Sequence, residues 1–319
     1  FGVTQRLYGV RGGKALALAT LIALPIWIWT SVVLNRPQEY HARRRLAESL
    51  SGFNQRHPRT TYYILYTLLF LLMCLGVFFW FYKTDRTFVW STDGTKQHFN
   101  ALIYWGEYLR NFFKSLLFDH TVSLPLWDFS IGMGSDVLTT LHYYVIGDPL
   151  TLLSVFVPSA YSEYLYVFLI LLRFYLAGLA FSMYCRKMKI NRFGSLCGSF
   201  VYIFCSFALF GGIRHPYFIN PLIYFPILLI SIEKIYEGHK PHLFIGMVAL
   251  SAISNFYFFY MLTIFIFLYA LIRFFSIYRE RRLYHFGCSL GKFTGYFLVG
   301  VLIASLIFIP VVMQVLTTG

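Results

Sequence analysis

The sequence predicts an all-α polytopic membrane protein. Three observations carry that expectation. Of 319 residues, 58% are hydrophobic and 13% charged, whereas a soluble domain is about 45–50% apolar and about 25% charged. Mean hydropathy is +0.63. The apolar residues are also gathered into runs, most of them approaching the roughly 17–25 residues that cross a bilayer as a helix. This composition excludes a soluble enzyme, a disordered tail and a coiled coil.

Eight apolar segments stand out in order: 15–34, 61–82, 164–184, 194–211, 217–235, 242–254, 256–275 and 293–313. The run 242–254 is short and meets 256–275 at Asn255. The two read as a tight hairpin, whose polar turn near a membrane surface is tolerated only among protein or in a wet cavity. Segment 15–34 is longer than the usual ~7–15 residue core of a signal peptide and has no A-x-A site after it, so it reads as a helix. The chain opens on Phe1 and stops at Gly319 directly after a span. The expectation is therefore a processed or partial chain, with helices missing downstream.

Charge sets the expected orientation. The net charge of +14 would suggest nucleic acid in a soluble protein, but most of the basic residues fall in inner links. Loop 35–60 carries Arg36, Arg43, Arg44, Arg45, Arg56 and Arg59. Loop 185–192 carries Arg186, Lys187, Lys189 and Arg192. Segment 273–292 carries Arg273, Arg279, Arg281, Arg282 and Lys292, and the short link near 233–242 adds Lys234 and Lys240. By the positive-inside rule these links are cytoplasmic. Arg43-Arg44-Arg45 then touches anionic lipid, and no nucleic-acid partner is expected.

The opposite side holds one long segment, 83–163, with eight of the 13 acids: Asp85, Asp93, Glu107, Asp119, Asp128, Asp136, Asp148 and Glu163. A segment of that length between spans is ordinarily functional. Within it, Phe99, Leu102, Ile103, Leu109, Phe113 and Leu116 recur at helical spacing beside Glu107, Arg110 and Lys114. This pattern predicts an amphipathic helix lying in the interface. The five cysteines include no C-x-x-C pair and read as reduced packing residues.

Several constellations could carry chemistry. Asp93, in Ser91-Thr92-Asp93-Gly94-Thr95-Lys96-Gln97, could act as a general base near the membrane, with Asp85 assisting. It could equally make an Asx turn or cap the interfacial helix. Trp127-Asp128 and His142-Tyr143-Tyr144 offer aromatic faces for sugar stacking or interfacial anchoring. Asp148-Pro149 predicts a turn and a helix start. Arg173 lies inside the span 164–184, where a cation is costly and marks function by default. Its partner is either a lipid phosphate or an internal carboxylate or carbonyl. Arg214-His215 could meet a phosphate or form a plain surface loop. The nine histidines show no strong metal spacing, so no metal ligand is assigned.

With these residues in view, the chain from about 61 to 313 resembles the bacterial membrane protein YfhO family of GT-C glycosyltransferases. The resemblance rests on elements in order: Asp93-Gly94 with Gln97, Pro125 with Trp127, Gly132 and Gly134, Tyr143-Tyr144 and Asp148-Pro149. It continues through Leu222-Ile223-Tyr224-Phe225-Pro226, Ile232-Glu233-Lys234 and Ser254-Asn255-Phe256-Tyr257. It implies a GT-C-like helical bundle with a long first extracytoplasmic loop bearing amphipathic interfacial helices.

It also implies inverting transfer of a sugar from a polyprenyl-phosphate donor to an envelope polymer or lipid acceptor. Asp93 matches the acidic residue that acts near the reacting centre. Gln97, Trp127, Tyr143, Tyr144, Asp148, Arg173, Arg214, His215 and Asn255 become substrate-binding candidates. A divalent metal is compatible with such enzymes but not required by this sequence. The expected organisation is an extra N-terminal helix and basic cytoplasmic loop over 1–58, then a GT-C-like transmembrane domain over 59–319 with outer loop 83–163, truncated at its C-terminus. The rival expectations are a flippase for lipid-linked sugars and a non-catalytic envelope-assembly protein.

Overall fold

The computed structural model describes residues 54–278 and 282–318. Segment 15–34 and most of loop 35–60 lie outside them. The chain divides into two compact units, Phe1–Thr67 and Leu68–Gly319; the second holds the candidate site residues.

Among the described residues, five helices are long and apolar enough to cross a membrane, or six when one bent pair is counted as a span. The chain is therefore an all-α polytopic membrane protein. Helix α1 (Pro58–Val77) stops short of the expected 82, and α2 (Phe79–Lys83) follows at once. The interruption is Phe78, whose ring is buried against Phe88, with centroids 4.8 Å apart, and against Phe174 at 6.2 Å. Next comes a π-helical turn (Gly94–His98) that runs directly into α3 (Phe99–Leu117). This is the predicted amphipathic helix. Its apolar side, Leu109, Phe113 and Leu117, faces Leu152 and Phe156 across a groove of about 590 Å³.

A two-residue ribbon pairs β1 (Trp127–Asp128) with β2 (Ser135–Asp136), in the register Trp127 to Asp136. Helix α4 (Val137–Leu141) follows, capped by Asp136 accepting from the Thr139 N–H at 2.7 Å. A second π-helical turn (His142–Ile146) and a 3₁₀ turn (Pro149–Phe156) lead to α5 (Ser162–Lys187). Asp148 caps the 3₁₀ turn by accepting from the Leu150 N–H, and Pro149 fills the first position, where the missing N–H costs nothing. Glu163 belongs to the first turn of α5, where a carboxylate favours the helix dipole, rather than to a loop.

The predicted single span 194–211 is two helices, α6 (Arg192–Ile203) and α7 (Ser206–Arg214), bent by 45°. Ser195 and Ser199 bond back to the carbonyls four residues earlier, within the first half of α6. Phe204 at the break stacks on Phe174 with centroids 6.1 Å apart. The helices α8 (Asn220–Tyr236), α9 (His242–Ser254) and α10 (Phe256–Ile277) follow. The last, α11 (Arg282–Thr318), extends well beyond the expected 293–313 at both ends.

Helix α5 packs on α6 and α8, and α9 packs on α8 and α11. One core surrounds Phe174, Ile170 and Leu169; a second surrounds Leu228, Val248 and Ala252.

The segment 273–292 is not one basic loop. Arg273 belongs to α10 and clamps Glu233 of α8 through two hydrogen bonds of 2.5 and 2.7 Å. Tyr269 donates a third to the same carboxylate at 2.6 Å. A charge-assisted fork of this kind fixes the register of two helices.

Candidate functional site

The segment Trp90–His98 folds back on itself before α3 begins. The Thr95 N–H bonds Trp90 O at 2.8 Å, and the Lys96 N–H bonds Thr92 O at 3.0 Å. Gly94 fits the close packing here, because a Cβ would come 3.0 Å from Trp90 Cβ and 3.2 Å from the Val89 carbonyl carbon. Asp93 precedes the turn with helical φ and ψ and caps nothing with its side chain. Its carboxylate is 44% exposed, and Oδ2 stands 3.6 Å from His215 Nε2.

His98, at the end of the same turn, is completely buried. Its Nε2 lies 3.0 Å from His215 Nδ1, so Asp93, His215 and His98 form one chain of contacts. Around His98 stand the rings of Tyr144 at 5.4 Å, Tyr217 at 5.5 Å and Tyr143 at 6.2 Å. Tyr144 donates its hydroxyl to Gln97 Oε1 at 2.8 Å. The two π-helical turns thus meet face to face. Turns of this kind are rare and recur at functional sites, because the extra residue re-aims the side chains beside it.

The second turn is seated by backbone contact. Gly147 abuts the carbonyls of Ile253 and Ser254 at the end of α9, where any Cβ would clash. His142 Nε2 bonds the freed Ile253 carbonyl at 2.5 Å. The polar turn between α9 and α10 is thereby covered by protein. Asn255, expected as a substrate contact, is buried there; its Oδ1 accepts from the Tyr257 and Phe258 N–H groups and caps α10.

The bend between α6 and α7 brings Arg214 and His215 to the same place. The Arg214 guanidinium lies over the rings of Phe210 at 3.8 Å and Trp90 at 4.5 Å. Its side chain has no hydrogen-bonding or ion-pair partner among the described residues, and its Nε is buried. Stacking between aromatic faces orients a guanidinium while leaving its donor edge free. His215 stacks on Phe218 with centroids 4.8 Å apart.

Burial sets the protonation states. It pushes His98 down to about 4, with His215 adding to the shift and Asp93 opposing it. It also lowers His215, where Asp93 opposes and Arg214 assists. Both shifts favour the neutral imidazole. Burial, and then the Asp93 charge, hold Tyr144 above the usual phenol value.

The remaining candidates lie elsewhere. Arg173 and Asp148 were expected as separate substrate contacts, but they are each other's partners. The Arg173 Nη2 donates to Asp148 Oδ2 at 2.5 Å and its Nε to Asn220 Oδ1 at 3.1 Å, with both side chains buried. Of the two alternatives for Arg173, the internal carboxylate is the one occupied. Trp127 sits exposed on the ribbon beside Phe129. Near it, a groove of about 580 Å³ is lined by Tyr104, Glu107, Tyr108, Asn111 and Asp128. Tyr104 donates to Asp128 at 2.6 Å.

Among the described residues no three His, Cys, Asp or Glu side chains converge as a metal site. His98 and His215 direct ring nitrogens at each other rather than at a common point.

Sequence reasoning missed His98. It opens an amphipathic helix on the buried side, which reads as packing, and its partner is 117 residues away. The one local signal was a histidine four residues after Gly94.

The sequence model of a family described as bacterial membrane protein YfhO matches residues 66–319. No curated protein and no solved structure matches the chain.

Proposed function

The chain belongs to the YfhO family of bacterial membrane proteins, and from that premise and the surroundings of Asp93 we propose that it is a membrane glycosyltransferase. The donor is a sugar on a polyprenyl phosphate, the acceptor an envelope polymer or lipid, and the face extracytoplasmic. One observation carries the reading. An accessible carboxylate, Asp93, and a guanidinium that meets no carboxylate among the described residues, Arg214, flank His215.

Those two groups are what glycosyl transfer with inversion requires. Asp93 takes the proton of the acceptor hydroxyl, the acceptor oxygen bonds the anomeric carbon, and the bond from that carbon to the phosphate oxygen breaks. The electron pair leaves with the phosphate. Arg214 offers its fork of donors where that negative charge grows. Tyr143 and Tyr144 lie close enough to feel the Asp93 charge, Gln97 accepts from Tyr144, and together they offer hydroxyl, amide and ring faces to a sugar. Arg173 and Asp148 belong to the support of this site, not to its contacts.

The flippase reading asks for ionisable groups open along a path between spans. Arg173 with Asp148, and Glu233 with Arg273, are instead closed pairs.

Membranes containing the protein are incubated with radiolabelled polyprenyl-phosphate sugars, and label in the envelope fraction is counted. Asp93→Asn lowers transfer by about 10²–10⁴-fold. Arg214→Gln lowers it by roughly 10–100-fold, the worth of a charge-assisted contact. Undiminished transfer by Asp93→Asn at equal expression removes Asp93 from the chemistry.

A further inference from the structure

We propose that His215 is a positioning residue for Asp93 and that buried His98 locks its tautomer, so that the carboxylate faces a neutral N–H donor and not a cation. For the chemistry this rests on the reading of Asp93 above. For the tautomers it rests on contacts alone.

Ring nitrogens impose the first constraint. His98 Nε2 and His215 Nδ1 are 3.0 Å apart, so one carries the hydrogen and the other accepts it. The second nitrogen of His215, Nε2, faces Asp93 Oδ2 at 3.6 Å. A hydrogen on Nε2 is favoured there by the carboxylate, and the contact is of the loose kind that tightens when substrate binds. A neutral imidazole has one N–H. With the His215 hydrogen on Nε2, its Nδ1 must accept, His98 must donate from Nε2, and His98 Nδ1 must be bare.

The environment of His98 Nδ1 supports this independently. That atom is buried and has no hydrogen-bond partner among the described residues. A bare nitrogen there forgoes one weak bond, whereas an N–H there would be a buried donor with nothing to receive it.

The lock follows. Protonating His215 places a second hydrogen on Nδ1, pointed at His98. His98 must then accept at Nε2 and carry its own hydrogen on Nδ1, the position with no acceptor. Every group facing the pair enters the balance. His98 is enclosed by Tyr143, Tyr144 and Tyr217. His215 meets Asp93, which favours a cation, and Arg214 and Phe218, of which Arg214 opposes one. The downward displacement of both imidazoles agrees with the lock. Its benefit to Asp93 is direct. A histidinium would bind the carboxylate as an ion pair, while a neutral N–H orients it through a weaker contact.

The test is a pH titration of ¹⁵N-histidine-labelled protein in lipid nanodiscs, with His98→Gln and His215→Gln assigning the signals. In the unmodified protein both residues are expected as Nε2–H tautomers, with the His215 midpoint below the ordinary 6.5. A glutamine at 98 can turn its amide oxygen toward His215 Nδ1–H and accept it. His98→Gln therefore raises the His215 midpoint by about one pH unit, a tenfold gain in proton affinity, and the acid limb of transfer activity moves up with it.

An Nδ1–H tautomer on His215, a midpoint at or above 6.5, or an unmoved midpoint in His98→Gln overturns the proposal. The spectrum of the unmodified protein decides the tautomers even where the variants fold poorly. Tautomers as stated, with no sugar transfer by any form, would remove the transferase reading and leave the lock standing.

Discussion

At the scale of single residues, the buried pair Arg173–Asp148 decides how the site is supported. Removing one partner leaves an uncompensated charge in a dry interior, which costs about 3–5 kcal/mol. Asp148→Asn is expected to lower the unfolding temperature in detergent sharply, and adding Arg173→Met to recover most of the loss, since a matched apolar replacement of such a pair is close to neutral. No recovery would mean that Arg173 stabilises through contacts other than the charge.

The pair was half legible in the sequence. Asp148-Pro149 announced a helix start and Arg173 announced a buried cation, but their meeting depends on how the 3₁₀ turn that Asp148 caps lies against α5. Asp93 was legible because it stands in a polar run with no apolar neighbours to bury it. His98 was not, because buried histidines in cores and buried histidines in sites look alike until their partners are known.

At the scale of elements, apolar runs located the spans and missed their breaks. Hydropathy is smooth across Phe204 and Cys205 and across Phe78, so nothing in composition marks the bend between α6 and α7 or the end of α1. Those breaks come from aromatic side chains finding Phe174, a tertiary cause. The junction at Asn255 was legible as a break, since the polar pair Ser254-Asn255 interrupts two apolar runs. Its role as a helix cap follows from the extended backbone it adopts. Asn255→Ala removes the acceptor for two N–H groups and should cost about 0.5–2 kcal/mol, whereas Asn255→Asp should cost little. Both are read by thermal unfolding in detergent. If Ala and Asp lose sugar transfer equally while keeping full stability, Asn255 touches substrate.

At the scale of the whole molecule, the long segment between α1 and α5 is tied both within itself and to a distant link. Arg110 of α3 bonds Ser154 O and Val157 O, and His98 reaches the link between α7 and α8. The orientation read from basic links remains a prediction of charge. Met133, in the turn of the ribbon, is 98% exposed and offers a direct measurement. Met133→Cys in intact cells should react with a membrane-impermeant maleimide added outside, and protection until the cells are broken would invert the topology. The bend of α6 and α7 gives this arrangement its chemical meaning, because it sets Arg214 and His215 against a turn that lies about 120 residues earlier in the chain.

A π-helical turn is what one inserted residue makes of an α-helix. The turn Gly94–His98 therefore sets the head of α3 out of ordinary α-helical register. Deleting Thr95 should remove that offset. It would let α3 begin in ordinary register and turn Asp93 by about 100° relative to the rest of the helix, away from His215. The expected outcome is a protein that melts later and transfers no sugar, a gain in order at the expense of the reaction. Unchanged transfer after the deletion would show that the wide turn is an accident of packing.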